Sequence, residues 1–237
     1  MRPKYIHLPK LEEGNPVNKL RESFNRKNEA ILYHHDPVGI VFIGDSITDY
    51  WDLEGYFQLN NQKRIINRGI GNDRTQFVKH RFEADAIQLQ PDWIVLSIGI
   101  NNTKPLDLDQ SESNQQKIKT QILSDIESMI NQAKTNHINI AVTSLTSTNR
   151  PHLEGFKVRS VLVKHINESI HQLCQKHQIT FIDYYTPMTL TKDGIDYLKP
   201  ELTDDGLHPH VLGYDIMANV IENTFQNQYE IKRKSNA

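Results

Sequence analysis

The amino-acid sequence predicts an α/β protein built on a five-stranded parallel sheet covered on both faces. Short apolar runs recur at residues 38–43, 64–66, 93–98, 138–145 and 179–182, each of a length suited to a buried strand. Long patterns of 3.6-residue period lie between the later runs, and a chain that alternates strand with helix makes a parallel sheet with helices on both sides.

The elements follow in order. Within residues 1–37, Asn15 suits an N-cap and Pro16 a first helical position. Val17, Leu20, Phe24 and Ile31 then form one apolar stripe, so this extension is expected to hold a helix. Glu112–Thr135 carries Ile118, Ile122, Ile126, Met129 and Ile130 on one face. Residues 157–177 do the same with Val158, Val161, Leu162, Ile166, Ile170 and Leu173. A last helix over 211–225 follows His208-Pro209, and the polar stretch 227–237 is expected to fray. With no repeat, low-complexity tract or linker, residues 1–237 read as one domain.

Composition narrows the function. The net charge is −2 and the isoelectric point about 6.6, so nothing favours nucleic acid or an anionic membrane as partner. No run approaches the ~20 apolar residues of a membrane span. Cys174 is the single cysteine, excluding an internal disulfide and suiting a cytoplasmic protein. On the apolar face of its helix, beside Leu173 and Ile170, it reads as a small hydrophobe. A homodimer is the base-rate expectation for a soluble enzyme.

Chemistry concentrates in a few turns. Gly44-Asp45-Ser46-Ile47-Thr48 ends the first apolar run and puts a hydroxyl at the carboxyl edge of the sheet, where open α/β folds bind ligands. Such a serine either caps the following helix or, given a base, acts as a nucleophile. His208 is the candidate base, in the constrained turn Gly206-Leu207-His208-Pro209. Asp205, three residues earlier, can orient the imidazole, with Asp204 as rival. His210 makes a His-x-His pair, but no further ligand is evident for a metal. Donors for a developing oxyanion could come from Asn101, after the third run, or from the backbone of Asn67-Arg68-Gly69-Ile70-Gly71-Asn72-Asp73-Arg74. Gly69-Ile70-Gly71 is not a dinucleotide fingerprint, since Arg74 stands where the third glycine is needed.

Four blocks in this order resemble the SGNH (GDSL-type) hydrolase family: Gly44–Thr48, Asn67–Asp73, Gly99-Ile100-Asn101-Asn102 and Asp205–His208. The resemblance implies a flavodoxin-like three-layer α/β/α sandwich and a serine esterase without metal or organic cofactor. It also implies roles: Ser46 as nucleophile and, through its own N–H, an oxyanion donor; Asn101 as side-chain donor; His208 as base; Asp205 as its partner. The family's second block usually reads Gly-Gly-Asp or Ser-Gly-Asp, so Asn72 occupies the position whose backbone N–H is the glycine donor. Asn102 is a milder departure from a common Asp.

For the substrate, Asp45, Trp51 and Gly71 are the expected contacts beside the nucleophile and donors. Tyr50 and Trp51 follow Ser46, and Tyr184 and Tyr185 follow the fifth run, offering rings for a sugar to stack on. The loops at 103–113 and 146–156 are polar, with Lys104, Asp107, Asn149, Arg150 and His152. Removal of acetyl or another short acyl group from a carbohydrate or small ester is therefore expected. A lysophospholipase or thioesterase, a catalytically impaired binding protein of the same fold and a nucleotide-binding module are the alternatives.

Overall fold

A computed structural model describes residues 16–59, 63–226 and 228–234. Helix α1 (Pro16–His34) leads into strand β1 (Val38–Gly44), then the short helices α2 (Ser46–Asp49) and α3 (Leu53–Tyr56). Strands β2 (Phe57–Leu59) and β3 (Arg64–Gly69), helix α4 (Thr75–Asp85), strand β4 (Trp93–Ser97) and helix α5 (Glu112–Thr135) follow. The rest is β5 (Asn139–Thr143), α6 (Phe156–His177), β6 (Thr180–Ile182), α7 (Tyr185–Met188), β7 (Thr189–Lys192), β8 (Ile195–Leu198), α8 (Val211–Phe225) and β9 (Ile231–Arg233).

The main sheet has the order β3-β1-β4-β5-β6 and every pairing in it is parallel. Residues of β1 are buried along its whole length, as its unbroken apolar run requires of a central strand with helices above and below. Helices α4, α5 and α6 stand side by side on one face, with α1 against α4. Helices α2, α3 and α8 cover the other, where Trp51 stacks on Tyr214 at 5.3 Å and Phe225 meets Trp93 edge-on at 4.9 Å. All five expected strands are present, and α5 and α8 span the expected ranges.

The chain leaves β1 toward β3 on one side, whereas β4 leads to β5 on the other. That reversal opens a crevice at the carboxyl ends of β1 and β4, the place where open α/β sheets bind ligands.

Three features differ from expectation. Helix α4 had no clear apolar signature, because its buried face carries Arg81 and Asp85 along with Val78 and Phe82. The 227–237 tail does not fray throughout: Ile231–Arg233 pairs antiparallel with Phe57–Leu59, and Ile231 is buried. Strands β7 and β8 form a hairpin around Asp193 and Gly194, both at positive φ, a dipeptide suited to a two-residue hairpin turn. Helix α1 exists, with Phe24 and Ile31 buried; the expected cap Asn15 lies outside the described residues.

Candidate active site

Strand β1 delivers Ser46 to the crevice. Asp45 caps α2 by accepting the Ile47 N–H at 3.0 Å, which leaves the hydroxyl of Ser46 unused by the helix. Gly44 makes this turn possible: a Cβ there would collide with the Ser97 carbonyl and the Thr48 hydroxyl. Asn67 ties α2 to β3, donating to the carbonyls of Thr48 and Trp51 at 2.7 and 3.0 Å.

The turn before α8 brings in the other two groups. Ser46 Oγ and His208 Nε2 are 2.8 Å apart, and His208 Nδ1 lies 2.7 Å from Asp205 Oδ2. Asp205 Oδ1 accepts the backbone N–H groups of Leu207 and His208 at 2.9 and 2.8 Å. Burial pushes the Asp205 carboxyl up, but the His208 N–H and ring and the Leu207 N–H outweigh it and hold the group well below the usual carboxylate range. Gly206 has φ +76°, and a Cβ on it would strike the Asn149 backbone. The close approach lets Asn149 N–H donate to the Gly206 carbonyl at 2.7 Å. The imidazole's carboxylate hydrogen bond is with Asp205 and not Asp204, so Asp205 is the partner the geometry provides.

Arg150 completes this turn. Its Nη2 donates to Asp205 Oδ2 at 2.7 Å and its Nε to the Asp205 carbonyl at 2.8 Å. Sequence reasoning placed Arg150 among sugar contacts; a partner 55 residues away has no local signal.

Candidate oxyanion donors sit on the loops after β1, β3 and β4. Among the described residues, the backbone N–H groups of Ser46 and Asn72 have no internal partner. Asn72 holds φ +67°, a left-handed conformation that Asn tolerates better than most side chains. Asn101 is buried and gives one amide hydrogen to the Asp73 carbonyl at 3.0 Å, leaving its second N–H uncommitted in that contact. Asn102 holds the start of α4, with Oδ1 on the Thr75 N–H and Nδ2 on the Thr75 hydroxyl.

A buried charge network supports this floor. Arg81, 1% exposed, bonds Asp73 Oδ2 at 2.9 Å, Asp85 Oδ2 at 3.2 Å, and the carbonyls of Arg68 and Gly44 at 3.0 and 3.1 Å. Arg21 of α1 reaches Asp85 at 3.0 Å. Burial and the neighbouring Asp73 push the Asp45 carboxyl up to about 7, against the Ile47 N–H and Lys104.

The expected substrate contacts fare unevenly. Trp51 is not at the surface: it is 3% exposed, packed among Phe42, Phe57, Tyr56, Tyr184 and Tyr214, because the segment between α2 and α3 points its ring into the core. Asp45 is likewise buried and committed to its cap, so neither presents a contact to a ligand. Gly71 stays partly exposed, but its N–H is taken by the Asp49 carboxylate. Tyr184 is core and the Tyr185 hydroxyl bonds Asp196 at 2.6 Å. Tyr50 is the exposed ring at the site, its centroid 5.2 Å from that of His208. His210 caps α8 by accepting the Leu212 N–H, and among the described residues no cluster of His, Cys, Asp and Glu could hold a metal.

A hydroxyl, an imidazole and a carboxylate hydrogen-bonded in series, at the switch point of a doubly covered sheet, have the geometry that acyl transfer requires. The chain belongs to the GDSL-like lipase/acylhydrolase family, whose model matches residues 42–216. A crystal structure of a GDSL-like lipase from Bacteroides thetaiotaomicron superposes with TM-score 0.71 at 26% identity, covering 86% of this chain and 96% of that one. An acetylxylan esterase from Geobacillus stearothermophilus is 32% identical over 85 residues, 27% of this chain and only 39% of that protein's length. A crystal structure of an acetylxylan esterase from the same organism shares the fold, with TM-score 0.60 at 20% identity over 80% of this chain and 95% of that one. No helix among the described residues is long and apolar enough to cross a membrane.

Proposed function

We propose that the protein is a serine-dependent carboxylic ester hydrolase that removes acetyl or another short acyl group from a carbohydrate or small ester. The observation that carries this reading is the continuous hydrogen-bonded series Ser46, His208, Asp205, with links of 2.8 and 2.7 Å.

In this reading His208 Nε2 takes the Ser46 proton as Oγ attacks the acyl carbon. The tetrahedral oxyanion is met by the N–H groups of Ser46 and Asn72 and the amide of Asn101. His208 then protonates the leaving alcohol, and an acyl-serine remains. Water, deprotonated by the same imidazole, attacks the acyl carbon and frees Ser46 as the carboxylic acid departs. Asp205 holds the tautomer with Nδ1–H and stabilises the imidazolium. The polar side chains of the loops around the site favour a short acyl group over a long one. The acetylxylan specificity named for the partial relative supports an acetyl ester, and the polar loops support a hydrophilic alcohol.

The test is hydrolysis of 4-nitrophenyl acetate by wild type and Ser46→Ala, then a series of longer acyl chains. The expected result is loss of roughly a thousandfold or more in kcat for Ser46→Ala and a kcat/KM that falls beyond short acyl groups. Equal rates for both proteins, or kcat/KM rising steadily with chain length, contradict the mechanism or the substrate class respectively.

A further inference from the structure

Charge at the mouth of the crevice is unevenly compensated. Overall the chain is slightly acidic, at −2, yet cations gather beside the candidate oxyanion donors. Arg150 is matched by Asp205 and Arg159 by Asp107, each at 2.7 Å. Arg74 and Lys104 have no carboxylate in ion-pair contact among the described residues. Lys104 Nζ donates instead to Asn72 Oδ1, a neutral amide on the residue that departs from the family's usual glycine.

Burial, then the charges of Arg74 and Arg150, push the Lys104 ammonium below its usual range. Asp45 and Asp107 act in the opposite sense. Asp45, however, is sealed under Ser46, and Asp107 is engaged by Arg159. Asp49 is engaged by the Gly71 N–H and does not line the cavity. Lys104, Arg150 and the Arg159–Asp107 ion pair, with Asn101 and Leu207, line a cavity of about 270 Å³ that opens beside the acid–base turn, so three cations face it against one carboxylate.

We propose that this cavity is a subsite for an oxyanion carried by the substrate, so that the ester hydrolysed bears a carboxylate or phosphate on the same small molecule. The proposal rests on the esterase reading and names its substrate class. Lys104 is the principal contact and Arg74 adds field. Asn72 positions the ammonium, which lowers the side-chain entropy lost when the anion binds. A charged acceptor makes a stronger hydrogen bond to an ammonium than a neutral amide does, so a substrate anion displaces Asn72 Oδ1 as the favoured partner.

Steady-state kinetics on three acetyl esters test it: O-acetylglucuronate, O-acetylglucose 6-phosphate and O-acetylglucose, with 4-nitrophenyl acetate and Ser46→Ala as controls. At least one anionic ester is expected to exceed the neutral sugar by about tenfold in kcat/KM, mostly through KM. That ratio should shrink toward one near 1 M salt, where the screening length is about 3 Å. Lys104→Gln should collapse the ratio and Lys104→Arg preserve it, with Arg74→Gln as an independent second variant and circular dichroism to check folding. A higher rate on the glucuronate identifies a carboxylate as the anion, and a higher rate on the phosphate identifies a phosphoryl group. A ratio near one in wild type, or one that Lys104→Gln and Arg74→Gln both leave intact, overturns the subsite while Ser46-dependent turnover of 4-nitrophenyl acetate leaves the esterase reading standing. Absence of Ser46-dependent turnover on every ester overturns both.

Discussion

Arg150 and His208 bind the same oxygen of Asp205, each at 2.7 Å. The acid of the series is therefore held by two donors that pull on one atom. The second arm of Arg150, on the Asp205 carbonyl, fixes the backbone as well as the side chain.

Arg150→Lys keeps the charge but cannot make both contacts from a single ammonium. A misplacement of the acid–base pair by about 1 Å can cost roughly a hundredfold. Arg150→Lys is therefore expected to lose between about ten- and a hundredfold in kcat, with KM for a neutral acetyl ester little changed. An unchanged kcat in Arg150→Lys and Arg150→Gln would show that the clamp has no part in turnover.

Asp45 makes stability depend on pH in an unusual direction. Burial pushes its folded carboxyl up to about 7, well above the ordinary carboxylate range, so the fold favours the protonated form. The associated stability is present below pH ~4 and is lost as pH rises toward 7. Asp45→Asn has no proton to lose and can still cap α2. Its advantage in thermal melts over wild type should thus grow between pH 4 and 7 and then level off. An advantage that is flat across this window would contradict the assignment.

Arg81 neutralises Asp73 and Asp85 at once, all three within the protein interior. Removing one member of a buried ionic group costs about 3–5 kcal/mol, because the partners stay buried and uncompensated. Arg81→Met should lose about that much in urea unfolding, and its damage should spread to the Gly44 carbonyl below the nucleophile. A loss under about 1 kcal/mol would mean that water or a rearranged partner replaces the guanidinium.

Asn72 tests whether the departure from glycine is tolerated or used. The left-handed conformation costs an ordinary L-residue about 1–2 kcal/mol, so Asn72→Ala should be destabilised by about 1 kcal/mol. Asn72→Gly should fold at least as readily as the alanine variant, since glycine adopts this conformation freely. Both keep the backbone N–H and should therefore retain turnover of a neutral acetyl ester; a thousandfold loss in Asn72→Gly would show that the side chain itself takes part.

The central strands were legible because both faces of the sheet are covered, which leaves no polar alternation to confuse with a loop. Helices α5 and α6 were legible because their length repeats the apolar period over several turns. That repetition outweighs the buried Asp125 of one and the buried Arg159 and Asn167 of the other, although Val161 of the expected stripe is exposed. Helix α4 was hidden by the same Arg81 and Asp85 that support the donor loop: inward-facing charge breaks the period. Ser46, Asp205 and His208 stood out through turn chemistry and order along the chain. The clamp by Arg150 and the tether between Lys104 and Asn72 are contacts between distant loops, which local pattern does not encode. Trp51 misled for a related reason, since nearness to Ser46 in sequence says nothing about which way the segment after a four-residue helix points its ring.

That inward turn of Trp51 gives the protein an optical probe of its own reactive floor. The chain holds two tryptophans, Trp51 amid aromatic rings five residues after the nucleophile and Trp93 at the opposite end of the sheet. The indole N–H of Trp51 is buried without a hydrogen-bond partner, so its emission belongs at the blue end of the range and beyond the reach of an aqueous quencher. In a Trp93→Phe background, fluorescence would follow the packing around Trp51 alone, and would register exposure of that region to water as a red shift.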